Sequence, residues 1–379
     1  MSTATQFFSL ATEARPFFLQ SGEALAPAQL AYETYGTLNE RRDNAVIVFH
    51  ALSGSQHAAG HNPDVPGTGG RWTDEMHDGW WNEFIGPGQG IDTHHFFVLC
   101  VNYLGGCYGS TGPASLDPRT GRAYGPRFPQ LTMADLVDAQ MALLDHLGIE
   151  TLHAAIGASL GGLLSLSLAT RYPERVRTVI PFATGARITP LQRLHNFEQI
   201  CAIEADPNFR GGDYYDGPRP ERGLALARII GHKTFVSLSA MEERARAEIV
   251  RRDDALAWYQ LRNPLESYML HQGRKFVRRF DANTYLRILD AWNRFDLVRE
   301  AIATDLVALF SRCRKQNYLV FTIDSDACFY PAEQAELMEV LKRAGVDATR
   351  ITVHSDKGHD SFLLEPHLYR PFLRAVLSA

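Results

Sequence analysis

The chain has 379 residues, more than a single core usually organises, so it reads either as one large domain with an insertion or as two domains. With 45% hydrophobic and 21% charged residues and a formal net charge of -5, it has the composition of a globular protein and nothing that would draw it to a polyanion. No apolar stretch approaches the roughly 18 residues of a membrane span, and the N-terminus lacks a basic segment followed by a long apolar one, so a cytosolic protein is expected. The five cysteines (Cys100, Cys107, Cys201, Cys313, Cys328) are odd in number and widely spaced, with no CxxC pair. That pattern fits reduced thiols, and neither a disulfide frame nor a metal site is expected.

In chain order, AVIVFHA (45–51) and FFVLCVN (96–102) are short β-branched and aromatic runs that read as buried strands of a parallel sheet. LTMADLVDAQMALLDHLGI (131–149) has helical spacing, with Thr132 and Asp135 as a start signal and Gly148 as a stop. A strand at 152–157, a helix from the SLSLATRYPE segment and a strand at 176–183 continue the alternation of a parallel α/β sheet. After Gly185 the rhythm breaks, and residues 187–303 read as a helical cap inserted into a core made of 1–186 and 304–379. Strand character returns at 317–323 and 350–354, around a helix formed by PAEQAELMEVLKRAG. The densest basic runs, RRDD at 251–254 and GRKFVRRF at 273–280, read as solvated helix faces.

The feature that carries chemistry is Gly157-Ala158-Ser159-Leu160-Gly161, a G-x-S-x-G pattern between a strand and a helix. Alone it arises by chance in roughly one chain in ten of this length, so its context decides. A serine hydroxyl becomes a nucleophile only when a base takes its proton, and a carboxylate must fix that base's tautomer. After such an elbow these partners follow in the order acid, then histidine. Asp324 and Asp326 both lie just past the strand at 317–323, and His354 and His359 lie at the last strand and in the loop beyond it. His359 is preferred because the role calls for a loop at the carboxyl edge of the sheet. The oxyanion needs two N–H donors, one from Leu160 and one from the Gly/Ser/His-rich loop FHALSGSQHAAG (49–60).

AYETYGTLN (31–39), HALSGSQHAAGH (50–61), NYLGGCYGSTGPASLDPRTGRAYGPRFP (102–129), GLALARIIGHKTFVS (223–237), ESYMLHQGRKFVRRFDANTYLRILDAW (266–292) and GHDSFLLEP (358–366) span nearly the whole chain. Together they resemble the homoserine O-acyltransferases of the α/β-hydrolase fold. The resemblance implies a mostly parallel sheet with helices on both faces and a helical cap. It implies Ser159 as nucleophile, His359 as base, Asp326 as acid, and Leu52 and Leu160 as oxyanion donors. It further implies Arg228 and Asp360 as the residues that hold the amino-acid substrate, a guanidinium suiting an α-carboxylate and a carboxylate an α-ammonium. Acetyl-CoA is expected as co-substrate and L-homoserine as acceptor, within methionine biosynthesis, with succinyl-CoA as donor, serine as acceptor or plain ester hydrolysis as the alternatives, and with no permanently bound cofactor. A homodimer is expected, with the aromatic-rich stretch 276–295 serving either that contact or the interior. The sequence departs from the family at Phe235, where tyrosine is common, at Ile200-Cys201, where arginine and glutamine are common, and at Ala158, where glycine is common.

Overall fold

The computed structural model describes residues 3–250, 256 and 258–378. Its main sheet has eight strands: β1 (Gln6–Ala11), β2 (Ala28–Tyr35), β3 (Ala45–Phe49), β4 (Phe97–Val101), β5 (Leu152–Ala158), β6 (Val176–Phe182), β7 (Asn317–Ile323) and β8 (Asp347–Val353). Their spatial order is β1-β2-β4-β3-β5-β6-β7-β8. β1 runs antiparallel to β2 and β2 antiparallel to β4, while every later pair is parallel.

The apolar runs at 45–49 and 152–158 are continuous because both faces of these central strands are covered. Along β3, Ala45, Ile47 and Phe49 enter one apolar cluster, and the intervening Val46 and Val48 enter another on the opposite face. The first face carries α1 (Met133–His146), α2 (Leu160–Arg171) and a later helix at Pro331–Ala344; the second is covered by the C-terminal helix Arg370–Leu377 and by Ala58, Trp81, Phe84 and Ile91. α1 begins as its sequence predicts. Thr132 Oγ1 accepts from Asp135 N at 3.2 Å, and Thr132 N donates to the Asp135 carboxylate at 2.7 Å.

The two N-terminal strands were not legible. β2 carries Gln29, Glu33 and Thr34 among its apolar residues, and Glu33 is fully buried, which breaks the pattern expected of a strand. The last strand starts three residues before the expected 350–354, because its edge position leaves most of it at least partly exposed.

Between β6 and β7 the described elements are helical: α3 (Pro190–Glu204), α4 (Glu221–Phe235), α5 (Leu238–Ala245), α6 (Pro264–Arg279) and α7 (Ala282–Asn293), followed by short helical turns. Their inward residues Ile203, Leu224, Phe276, Tyr285 and Trp292 belong to the same apolar cluster as the sheet face that carries α2. The stretch 276–295 is therefore interior: Phe276, Phe280, Tyr285, Trp292 and Phe295 are all buried. The run 273–280 is likewise not a plain solvated face, since Phe276, Val277 and Phe280 point inward and only Arg274 and Arg278 are exposed. The run 251–254 lies outside the described residues. No helix among them is long and apolar enough to cross a membrane, and all five cysteines are free, with Cys201 exposed and the rest buried.

Candidate active site

Ser159 sits at the one-residue junction between β5 and α2 with φ 58° and ψ -124°, a conformation strained for a residue with a side chain. The surrounding small residues explain how the turn is held. A methyl group at Gly157 would come within 2.0 Å of the Gly161 carbonyl oxygen, and one at Gly161 within 2.2 Å of the Phe49 oxygen, so the helix start is pressed directly on two strands. Ser159 N donates to Phe182 O at 2.9 Å, and its own carbonyl accepts from Gly162 N at 2.9 Å. Leu160 is the first residue of α2, so its N–H is among those a helix leaves without a partner of its own. Ala158 completes β5 buried and within the sheet, so the family's glycine is not needed there.

The acid and histidine resolve into two pairs. Asp326 Oδ2 lies 2.7 Å from His359 Nδ1, and both side chains are at most 3% exposed. The other oxygen of Asp326 accepts from the backbone N–H groups of Cys328 (2.7 Å) and Phe329 (2.9 Å). The competitors bind each other instead: His354 Nδ1 is 2.8 Å from Asp324 Oδ2, with 83% and 41% of those side chains exposed. His354 is also not on the strand as expected, but one residue past its end. His359 Nε2, across the ring from Asp326, is buried and has no hydrogen-bond partner among the described residues. Burial disfavours the charged imidazole, but Asp326 beside it outweighs that and raises the pKa of His359 above its ordinary 6.5.

A cavity of about 380 Å³ is lined by Ser159, His359, Leu52, Arg228, Asp360 and Phe235, among others. Arg228, on α4, lays its guanidinium 5.3 Å from the ring centre of Phe235 and 5.0 Å from that of Phe276. Burial and then the like charge of Arg279 lower its pKa, while burial raises that of Asp360 against the pull of His359 and Arg228. The two groups thus feel each other's charge across the cavity. Phe235 keeps the stacking surface that holds Arg228 without a hydroxyl. Ile200 is half-buried on α3 and packs against the apolar cluster, which accounts for an uncharged residue there.

The loop that carries Leu52 is secured by groups the sequence left unremarked. Tyr103 stacks on His50 with ring centres 3.7 Å apart and donates its hydroxyl proton to the His50 carbonyl. Arg279 donates to Ser53 O at 2.9 Å and Trp80 Nε1 to Ser55 O at 2.9 Å. Further along, the buried Glu33 carboxylate accepts from His57 (2.8 Å), Asn62 (2.8 Å), Thr5 (2.8 Å) and Tyr35 (3.0 Å). Burial pushes that carboxyl up, yet these donors together hold it below the usual glutamate range. Arg279 was detectable: Gln272, Lys275, Phe276 and Arg279 recur at helical spacing, and this face of α6 lines the cavity. Among the described residues, no three His, Cys, Asp or Glu side chains are grouped as metal ligands.

The family model for the alpha/beta hydrolase fold matches residues 44–366. A homoserine O-acetyltransferase of Solidesulfovibrio magneticus is 42% identical over 362 residues, covering 95% of this chain and 88% of that one. The chain belongs to the homoserine O-acyltransferase family. A homoserine O-succinyltransferase of Nitrosospira multiformis is 43% identical over 96% of this chain and 93% of that protein, so both acyl types occur among its relatives. The crystal structure of a Bacillus anthracis homoserine O-acetyltransferase superposes with a TM-score of 0.87 at 26% identity, covering 100% of this chain and 98% of that one. Esterase E22 reaches the same TM-score at 24% identity and shares the fold.

Proposed function

We propose that the protein moves an acetyl group from acetyl-CoA to the side-chain hydroxyl of L-homoserine, a step of methionine biosynthesis, through an acyl-Ser159 intermediate. The observation that carries this is the single cavity whose wall holds Ser159, the Asp326-supported His359, and the pair Arg228 and Asp360. His359 Nε2 takes the proton of Ser159 Oγ as the oxygen attacks the thioester carbonyl. The N–H groups of Leu52 and Leu160 hold the resulting oxyanion. The C–S bond breaks, the thiolate of coenzyme A takes the proton from His359, and the acyl group stays on Ser159. Homoserine then enters with its α-carboxylate on Arg228 and its α-ammonium on Asp360, loses its hydroxyl proton to His359, and carries the acyl group away while that proton returns to Ser159. Water would hydrolyse the intermediate, and the reacting side chains are well shielded: Ser159 is 5% and His359 2% exposed. The helices between β6 and β7 supply Arg228, Phe235 and Phe276 to this enclosure, which supports reading 187–303 as a cap.

The donor is the point at which the relatives divide. Thiol release from acetyl-CoA and from succinyl-CoA, each with homoserine and with serine, tests the reading: acetyl-CoA with homoserine is expected to be the fastest pair. Ser159→Ala is expected to abolish thiol release, and retained activity there would refute the nucleophile. Homoserine-independent ester hydrolysis at a comparable rate would make the protein an esterase. A homodimer is proposed from the apolar residues that α3 leaves outside, Leu194 and Phe197, at 58% and 59% exposure; sedimentation at twice the chain mass checks it.

A further inference from the structure

Lys275 on α6 and Glu75 on the short turn Asp74–Met76 both line the cavity that contains Ser159, and they meet there, with Nζ 3.0 Å from Oε2. Their side chains are 42% and 52% exposed, whereas Ser159 and His359, which line the same cavity, are 5% and 2% exposed. The ion pair therefore lies on a solvent-reaching part of the cavity wall and joins the helices inserted after β6 to the loop after β3. The nearby acid Asp78 is turned to another partner, its Oδ1 being 3.0 Å from His61 Nδ1. On the same helix Arg274 and Arg278 are exposed beside Lys275, and Arg279 lines the cavity one turn further on. The part of α6 that lines the cavity thus presents two cations, Lys275 and Arg279, on a chain of net charge -5.

An acyl-CoA donor delivers only its acyl end to a buried serine. Its diphosphate, which shares its negative charge with the ribose 3′-phosphate further out, stays at the outer end of whatever channel the thioester enters. A lysine ammonium suits that group as a compact charge whose hydrogen bonds demand little geometry. An ion pair as exposed as Lys275–Glu75 contributes little by itself, so an incoming anion can displace the glutamate at small cost.

We propose that Lys275 is the docking point for the diphosphate of the acyl-CoA donor, with Glu75 occupying its ammonium across the cavity entrance until the donor arrives. This rests on the acyl-CoA reading above. The test compares steady-state kinetics of the full chain, at saturating homoserine, with acetyl-CoA and with S-acetyl-N-acetylcysteamine, a thioester that lacks the phosphates. Lys275→Ala is expected to raise KM for acetyl-CoA about tenfold, the scale of one charge-assisted contact, with little change in kcat and none in KM for the truncated thioester. Glu75→Gln is expected to lower KM for acetyl-CoA, and added salt to raise it in the parent protein but much less in Lys275→Ala. Equal effects of Lys275→Ala on both donors, or no effect on either, would overturn the proposal. If the parent protein turns over neither donor, the acyltransferase reading itself fails.

Discussion

Asp326→Asn isolates what the buried carboxylate does for His359, because the exchange preserves shape and removes charge. In the parent protein Asp326 Oδ1 accepts from Cys328 N and Phe329 N, and Oδ2 accepts the Nδ1 proton of His359 at 2.7 Å. An asparagine keeps its oxygen on the two backbone donors, which places its NH₂ against His359 Nδ1. That nitrogen must then be the unprotonated one, so the proton moves to Nε2, the atom that has to accept from Ser159. In Ser-His-Asp proteases this tautomer error lowers kcat by about 10⁴, or about 5.5 kcal/mol at about 1.36 kcal/mol per tenfold. Because the backbone bonds survive, the thermal unfolding midpoint should stay near that of the parent. The pH profile should also move. In the parent, His359 titrates above 6.5 and must be neutral to act as base, so kcat/KM falls as pH drops through that raised value. Without that carboxylate, burial, the largest influence on the imidazole, is opposed only by the smaller pulls of Asp360 and Glu333, so its pKa falls and the acidic limb of the residual activity should shift to lower pH. Thiol release from acetyl-CoA, followed colorimetrically from pH 5 to 9, measures both effects. A variant within tenfold of the parent, with an unmoved acidic limb, would refute the role drawn here for Asp326.

Arg228→Ala should raise KM for homoserine by about 10- to 100-fold, the range expected for losing hydrogen bonds to a charged group, while thiol release in the absence of acceptor is unchanged. Arg228→Lys should recover only part of this, because the planar guanidinium stacks on Phe235 and Phe276 and an ammonium does not; an unchanged KM in both variants would remove Arg228 from acceptor binding. Glu33→Ala leaves the buried donors His57, Asn62 and Tyr35 without their shared acceptor and should destabilise the fold by about 1 to 3 kcal/mol or more, the scale of a buried polar group left unsatisfied, seen as a lowered thermal midpoint. A midpoint unchanged in Glu33→Ala would mean that this cluster does not hold the loop after β3.

The central strands, α1 and the elbow were readable because each depends on local chemistry: unbroken apolar runs, a capping pair, and small residues where backbone meets backbone. β1 and β2 were not, because the polar residues of β2 are accommodated by partners such as Thr5, His57 and Asn62 that are distant in sequence. Position after the strand left Asp324 and Asp326 both open; the family resemblance implied Asp326, and in the structure that residue is the one paired with His359.

By itself the sequence determined the alternation of strands and helices, the run of helices after Gly185, and a serine set in a turn that its neighbours keep free of side chains. These follow from periodicity and backbone sterics, which act over a few residues. Only the tertiary structure decided that Asp326 pairs with His359 while Asp324 pairs with an exposed His354, that the aromatic stretch 276–295 is interior, and that Arg228, Asp360 and Lys275 share a cavity with Ser159. Those outcomes depend on burial and on contacts between residues up to some two hundred positions apart, and a linear pattern carries neither.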